Sequence, residues 1–229
     1  QRVTDSRVGI ASVSKLTFDN NIAKSKQTFI AQRWNLVPQN LKAYEQGKFS
    51  KPVKPICFYI DDAFPVEWKN AIKQGVELWN KAFEQAGYQK AIEALDFPKN
   101  DRNFDADDIA YSCIRYVPST AEKVTSSFLA NPQTGEIINA SVFVPANVGD
   151  QIYRWLFLGS AASDATMRTS HLPQDKFNQG LKYMVACEVG RSLGLLDNIG
   201  ASYSYPVDSL RNSTFTHANN LAASIMANT

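Results

Sequence analysis

Apolar residues along the chain recur at spacings that separate strands from helices. Ile56–Ile60 is a continuous apolar run bounded by prolines and aspartates, which predicts a buried strand. Two later runs flank the turn at residues 131–135, which contains Asn131, Pro132 and Gly135, and so predict a hairpin. The apolar runs predict strands at residues 10–13, 28–31, 56–60, 91–95, 109–117, 126–130 and 136–144.

Apolar residues at intervals of three and four positions predict three helices, at residues 67–86, 151–163 and 174–193. In the second of these, we expect Trp155 and Leu156 to face inward. Gly87 and Gly194 follow the first and third helices, where glycine commonly ends a helix.

The strands and helices divide the chain into two predicted parts. Residues 1–54 predict a β-rich extension, and residues 55–229 predict the main domain. The connector at residues 51–55 is stiff, because it combines lysine with two prolines.

The composition narrows the possible functions. The chain has 229 residues with 24 basic and 22 acidic side chains, for a net charge of +2. This balance argues against binding to nucleic acid or to a membrane surface by electrostatic attraction. No apolar run approaches the ~20 residues that span a bilayer, and the chain shows no signal peptide.

The cysteines and an acidic loop are two further features that could form a disulfide, a reactive thiol or a metal site. Cys57 and Cys113 lie in apolar strand-like runs and predict small buried side chains rather than a disulfide, while Cys187 predicts a free thiol. Residues 101–108 contain four aspartates. They predict a solvated loop, and calcium binding through carboxylate oxygens is the alternative.

The clearest chemical pattern follows the spacing of the zinc-protease motif H-E-x-x-H-x-x-G-x-x-H. Glu188 and Gly194 occupy its glutamate and glycine positions, but Cys187, Arg191 and Asp197 replace the three histidines. In the intact motif, two histidines four residues apart reach one metal from the same helix face. The glutamate acts as general base on a metal-bound water. The glycine ends the helix and turns the chain, so that the third ligand can reach the same metal ion.

Arg191 argues against zinc at these positions. A guanidinium stays protonated and has no lone pair to donate, and at about 4 Å it repels a unit like charge by ~4 kcal/mol at an effective dielectric constant near 20. Cys187 and Asp197 are donors that zinc accepts, but two donors beside a resident cation predict no bound zinc. We instead predict an ion cluster in which Arg191 lies between Glu188 and Asp197, leaving Glu188 as a vestigial general base.

The chain here resembles the bacterial zinc-dependent metalloproteases of the metzincin clan, whose helix reads close to H-E-V-G-H-T-L-G-L-R-H-N. The register is kept at Val189, Gly190, Leu193, Leu195 and Asn198. Other segments resemble the family in the same order along the chain, at residues 55–61, 75–87, 131–140, 205–211 and 224–226.

The resemblance implies an α+β fold: a metzincin-like catalytic domain with a mixed twisted sheet, long helices packed on it and an N-terminal β extension. It also implies an exported protein. Met226 resembles the methionine of the family's Met-turn, which implies a hydrophobic floor under the former metal site. Relatives continue beyond this turn, so we expect residues 55–229 to form a domain truncated after it, completed by a missing C-terminal part or by a partner.

These observations leave two functions open. The first is a pseudoprotease without a cofactor that binds a peptide or protein segment, because metzincin substrates lie extended along the strand predicted here at residues 126–130. The second is a zinc-dependent metalloendopeptidase with a rewired site built on Cys187 and Asp197. His171 and His217 lie outside the motif spacing, and a nucleophilic pair of Cys187 with a histidine is a minor alternative.

Overall fold

The computed structural model describes residues 1–5, 7–19, 24–161, 167–168, 171–219 and 221–227. Five strands of the main domain form one sheet in the order β5-β4-β6-β8-β7, and only β7 runs antiparallel to its neighbour. Three N-terminal strands form a second, antiparallel sheet in the order β1-β3-β2. The strands are β1 (Val3–Thr4), β2 (Ser12–Asp19), β3 (Lys24–Ala31), β4 (Ile56–Ile60), β5 (Ile92–Asp96), β6 (Ser112–Val117), β7 (Thr125–Ala130) and β8 (Ile137–Pro145).

Helices cover one face of the five-stranded sheet. Helices α2 and α5 pack together there, and their apolar side chains join those of β4, β6 and β8 in one core that includes Phe58, Ile72, Val142 and Leu181. The helices are α1 (Leu41–Glu45), α2 (Val66–Glu77), α3 (Asn80–Gln85), α4 (Val148–Ser160), α5 (Gln174–Ser192), α6 (Val207–Leu210) and α7 (Ser213–Asn219), with a 3-10 helix at Ile199–Ser204.

The architecture agrees with the predicted α+β fold, in which a mixed sheet carries long helices. The strand at Ile56–Ile60, the hairpin of β7 and β8 and the long helix α5 are confirmed. Gly194, with φ of +92°, lies just beyond α5 as predicted.

The single helix predicted at residues 67–86 is wrong, because it divides into α2 and α3 around Leu78 and Trp79. Tertiary contacts hold the break in place. The Trp79 indole donates to the Ala186 carbonyl at 2.9 Å, and the Asn80 side chain bonds the main chain at Ala91 and Ile92. A periodic pattern cannot reveal these side-chain bonds, since their partners are distant in the sequence.

The prediction that Trp155 faces inward is also wrong. Trp155 is 38% exposed, and its ring stacks on Tyr183 of α5 with centroids 5.2 Å apart. Leu156, by contrast, is partly buried against the core as expected.

The acidic loop packs over the opposite face of the sheet. Phe104 contacts Tyr59 and Tyr111, with ring centroids 5.2 and 4.7 Å apart. Asp101 and Asp105 accept hydrogen bonds from main-chain amides two residues later. Within the described ranges no group of three or more histidine, cysteine, aspartate or glutamate side chains is arranged to hold a metal, so calcium binding at this loop has no support.

The three cysteines are free, as predicted, and Cys113 is fully buried, whereas Cys57 was also expected to be buried and is only partly so. None of the helices in the described part of the chain has both the length and the apolar character needed to cross a membrane.

Main-chain hydrogen bonds join the N-terminal segment to the main domain. The Arg33 amide donates to the Gly135 carbonyl at 2.8 Å, and the Arg33 carbonyl accepts from the Ile137 amide at 2.9 Å. A Cβ atom at Gly135 would lie 2.1 Å from the Ala31 carbonyl oxygen, so only glycine permits this approach. The boundary at residue 54 stays a prediction.

Candidate functional site

Helix α5 carries the degenerate motif into the wall of a cleft. The lining of the cleft includes Cys187, Glu188 and Arg191, and its volume is about 190 Å³. The helix buries Leu181 and Val185 in the core, while Cys187 and Arg191 are only partly buried and line the cleft.

Glu188 is buried and fully engaged. Its side chain is 8% exposed, one oxygen accepts from Arg191, and the other accepts from the Ser126 hydroxyl at 2.7 Å. Ser126 lies on β7, so this bond joins the motif helix to the edge strand of the sheet. Both carboxylate oxygens therefore have a charge-assisted partner, which offsets the cost of burying the charge.

Arg191 bridges the two carboxylates, as the ion-cluster prediction required. One terminal nitrogen donates to Glu188, and the other donates to Asp197 at 2.6 Å. Partial burial disfavours the charged guanidinium, but the hydrogen bond with Asp197 and the negative charges of both carboxylates raise the pKa of Arg191. The cation is thus firmly retained between the two acids.

Cys187 is not poised as a nucleophile. Its thiol donates to the Ile225 carbonyl at 3.2 Å, and burial raises the pKa of the thiol despite a lowering contribution from Tyr183 and Arg191. A protonated thiol is a poor nucleophile and a poor metal ligand. The minor alternative, a nucleophilic Cys187, therefore has no support from this environment.

Met226 packs directly beneath the motif helix, in the position expected of the Met-turn residue. A Cβ atom at Gly190 would lie 2.5 Å from the Met226 sulfur and 2.5 Å from a ring carbon of Trp79, so the helix can approach this closely only at a glycine. The Met226 carbonyl also accepts from the Asn198 amide at 2.8 Å, which joins the turn to the segment that carries Asp197.

The N-terminal segment holds the loop after α5, a contact that the sequence did not indicate. Ile10 forms a bridge with Leu195, and the Leu196 amide donates to the Gly9 carbonyl at 3.0 Å. At Gly194, a Cβ atom would lie 2.4 Å from the Gln32 carbonyl oxygen. These main-chain contacts, all adjacent to Asp197, place its carboxylate within reach of Arg191.

The cleft has further polar and aromatic side chains that sequence reasoning missed. Lys123 precedes β7, Gln151 lies on α4, and the stacked pair of Trp155 and Tyr183 forms one wall. Trp155 was expected in the core because it falls on a helical apolar stripe, and nothing in that pattern distinguishes a core tryptophan from one lining a cleft.

Of the two histidines, only the position of the His171 side chain is described. His171 is exposed at the start of the segment that leads into α5 and does not line the cleft. The side chain of His217 lies outside the described residues.

Zinc, which the family resemblance implies for active relatives, does not fit these residues. Arg191 supplies a resident cation between the two carboxylates, and the thiol of Cys187 donates to the Ile225 carbonyl. No group of three or more potential metal ligands is found anywhere among the residues that the structure describes. A dication at this position would have to displace Arg191 against the attraction of both acids.

Comparison with known proteins agrees with the resemblance. Residues 169–228 match a family described as Met-zincin, and this segment contains α5, the degenerate motif and Met226. No curated protein and no solved structure matches the chain. Residues 169–228 are therefore similar to the metzincin clan of zincin-like proteins.

Proposed function

We propose that this chain is a metzincin pseudoprotease, which lacks catalytic zinc and acts by binding a peptide or protein segment in its cleft. The observation that carries the proposal is the position of Arg191 between Glu188 and Asp197. A metal-activated water has no place beside this cation, and Glu188 has no free oxygen with which to act as a general base.

The edge strand supports the binding role. Strand β7 ends the five-stranded sheet, and its residues alternate between exposed and half-buried positions. Lys123 and Val124, which lead into β7, line the cleft. An extended peptide can add to such an edge by main-chain hydrogen bonds, with alternate side chains directed into the cleft. We also propose export from the cell, by resemblance to the bacterial metzincin proteases.

The deciding experiment is the zinc content of the purified protein after exposure to zinc and removal of loosely bound ions. We expect far less than stoichiometric zinc and no cleavage of fluorescent casein. Stoichiometric zinc together with cleavage would overturn the proposal and favour a rewired metallopeptidase.

A matched variant tests whether the architecture of the site is otherwise intact. The triple change Cys187→His, Arg191→His and Asp197→His restores the three ligands of the family motif. We expect this variant to bind stoichiometric zinc. A folded triple variant that still excludes zinc would show that the geometry, and not Arg191 alone, prevents binding.

A further inference from the structure

We propose that the cleft selects an extended peptide with an acidic side chain, whose carboxylate lies between Lys123 and Arg191. This inference rests on the proposed peptide-binding function and adds the chemistry of the ligand. It follows from the charges that face the cleft, from one unpaired buried acceptor and from the aromatic wall.

Among the described residues that line this cleft, the one charge without an ion-pair partner is positive. Lys123 and Arg191 both line it, and Lys123 has no ion-pair partner among the described residues. Glu188 is the acid in the lining, but it is buried and both of its oxygens are already bonded. Asp197 lines a neighbouring cavity together with Met226. An incoming carboxylate therefore meets the exposed Lys123 ammonium and the Arg191 side chain, which is 36% exposed.

Gln151 indicates that the ligand also brings a hydrogen-bond donor. Its Oε1 atom is buried without a hydrogen-bond partner among the residues that the structure describes, and the residue lines the same cleft. Buried acceptors are nearly always paired, so this atom requires a donor from elsewhere. A peptide supplies main-chain N–H groups next to its acidic side chain, whereas an inorganic anion brings acceptors only.

The aromatic wall favours a chain over a small anion. Trp155 and Tyr183 stack with an interplanar angle of 11° and present a flat apolar surface to the cleft. The methylene groups of a glutamate side chain and the neighbouring peptide backbone can cover this surface. The positive charges disfavour a lysine or arginine at the same place, because like charges in a partly desolvated cleft repel.

The test uses pools of blocked, fluorescein-labelled pentapeptides with a central Glu, Gln or Lys and uncharged mixtures at the other positions. Fluorescence anisotropy measures the affinity of each pool for the intact chain. We expect the Glu pool to bind about tenfold more tightly than the Gln pool, with the Lys pool weakest.

The variants Lys123→Gln and Lys48→Gln form a matched pair, because both lysines are exposed but only Lys123 lines the cleft. Lys123→Gln should remove most of the preference for Glu, and Lys48→Gln should leave it unchanged. Gln151→Leu should weaken the binding of all three pools while keeping their order, since it removes an acceptor of main-chain N–H groups.

The outcomes separate this inference from the proposed function. If all pools bind equally, or if the preference for Glu survives in Lys123→Gln, the acidic-ligand inference is wrong and peptide binding stands. If no pool binds the native chain, peptide binding itself is wrong and the inference falls with it.

Discussion

Arg191, which lines the cleft, and Arg115 each bridge a less exposed and a more exposed carboxylate. Arg191 joins Glu188, whose side chain is 8% exposed, to Asp197, which is 40% exposed. Arg115 joins Asp61, which is 16% exposed, to Asp107, which is 83% exposed. Each arginine also lies near a thiol, Cys187 in the first case and Cys113 in the second.

The difference lies in what each buried acid retains without its arginine. Asp61 also accepts hydrogen bonds from the amides of Ala63 and Tyr116, at 3.0 and 3.3 Å. Glu188 retains only the Ser126 hydroxyl. Arg115 therefore fastens a surface loop to the sheet, whereas Arg191 neutralises a charge that would otherwise be buried where relatives hold a metal. Two similar ion clusters therefore have different roles, which depend on the other hydrogen bonds that the less exposed carboxylate, Asp61 or Glu188, accepts.

The largest expected effect comes from removing each guanidinium in turn. Arg191→Met should lower the free energy of unfolding by about 3 kcal/mol, because it leaves a buried carboxylate with a single neutral partner. Arg115→Met should cost about 1 kcal/mol, since Asp107 is solvated and Asp61 keeps two amides. Urea denaturation of both variants measures the difference. Equal losses would show that Glu188 is not dependent on Arg191.

The next effect concerns the Cys113 thiol, which lies near Arg115. Burial raises the pKa of Cys113 from its ordinary value of 9.0 to about 11, in spite of the nearby Arg115. The unfolded chain releases this proton at lower pH than the folded chain, so the contribution to stability is complete below pH 9 and is lost as the pH rises to about 11.

Across that interval, the Cys113 thiol should lower the free energy of unfolding by roughly 1.4 kcal/mol for each step of one in pH. Denaturation curves of the native chain and Cys113→Ala at several pH values isolate this contribution, because the variant keeps the other thiols. Parallel pH profiles for the two proteins would contradict a raised pKa at Cys113.

The smallest effect concerns Asp197 and Asp107, the more exposed carboxylates of the two ion clusters. Asp197→Asn should lower the free energy of unfolding by up to about 1 kcal/mol, and Asp107→Asn by less, because the more exposed pair is better screened by solvent. Both losses should shrink in about 1 M salt, where the Debye length falls to about 3 Å. A larger loss for Asp107→Asn at low salt would reverse the comparison.

Local pattern was sufficient for much of the fold. The buried strand at Ile56–Ile60, the hairpin around Gly135 and the end of α5 at Gly194 were predicted because each depends on residues adjacent in the chain. The break between α2 and α3 was missed, since it is held by bonds from Trp79 and Asn80 to distant main-chain atoms.

The same distinction holds at the candidate site. The spacing of Glu188, Arg191 and Asp197 predicted their ion cluster, because a helix and a glycine turn place such positions on one side. Lys123, Gln151 and Trp155 were not recognised as cleft residues, because their positions depend on how α4 and the start of β7 meet α5.

The sequence by itself determined the strand at Ile56–Ile60, the β7–β8 hairpin, the long helix α5, the resemblance to the metzincin proteases and the replacement of the three ligand histidines, since these follow from residue type and spacing. Only the tertiary structure decided that the N-terminal segment holds the loop of Asp197 and that Ser126 completes the bonds of Glu188. It also decided that Lys123, which has no ion pair with the described residues, lines the cleft. The physical reason is that these contacts join segments far apart in the chain, and their geometry is set by the packing of the sheet and helices between them.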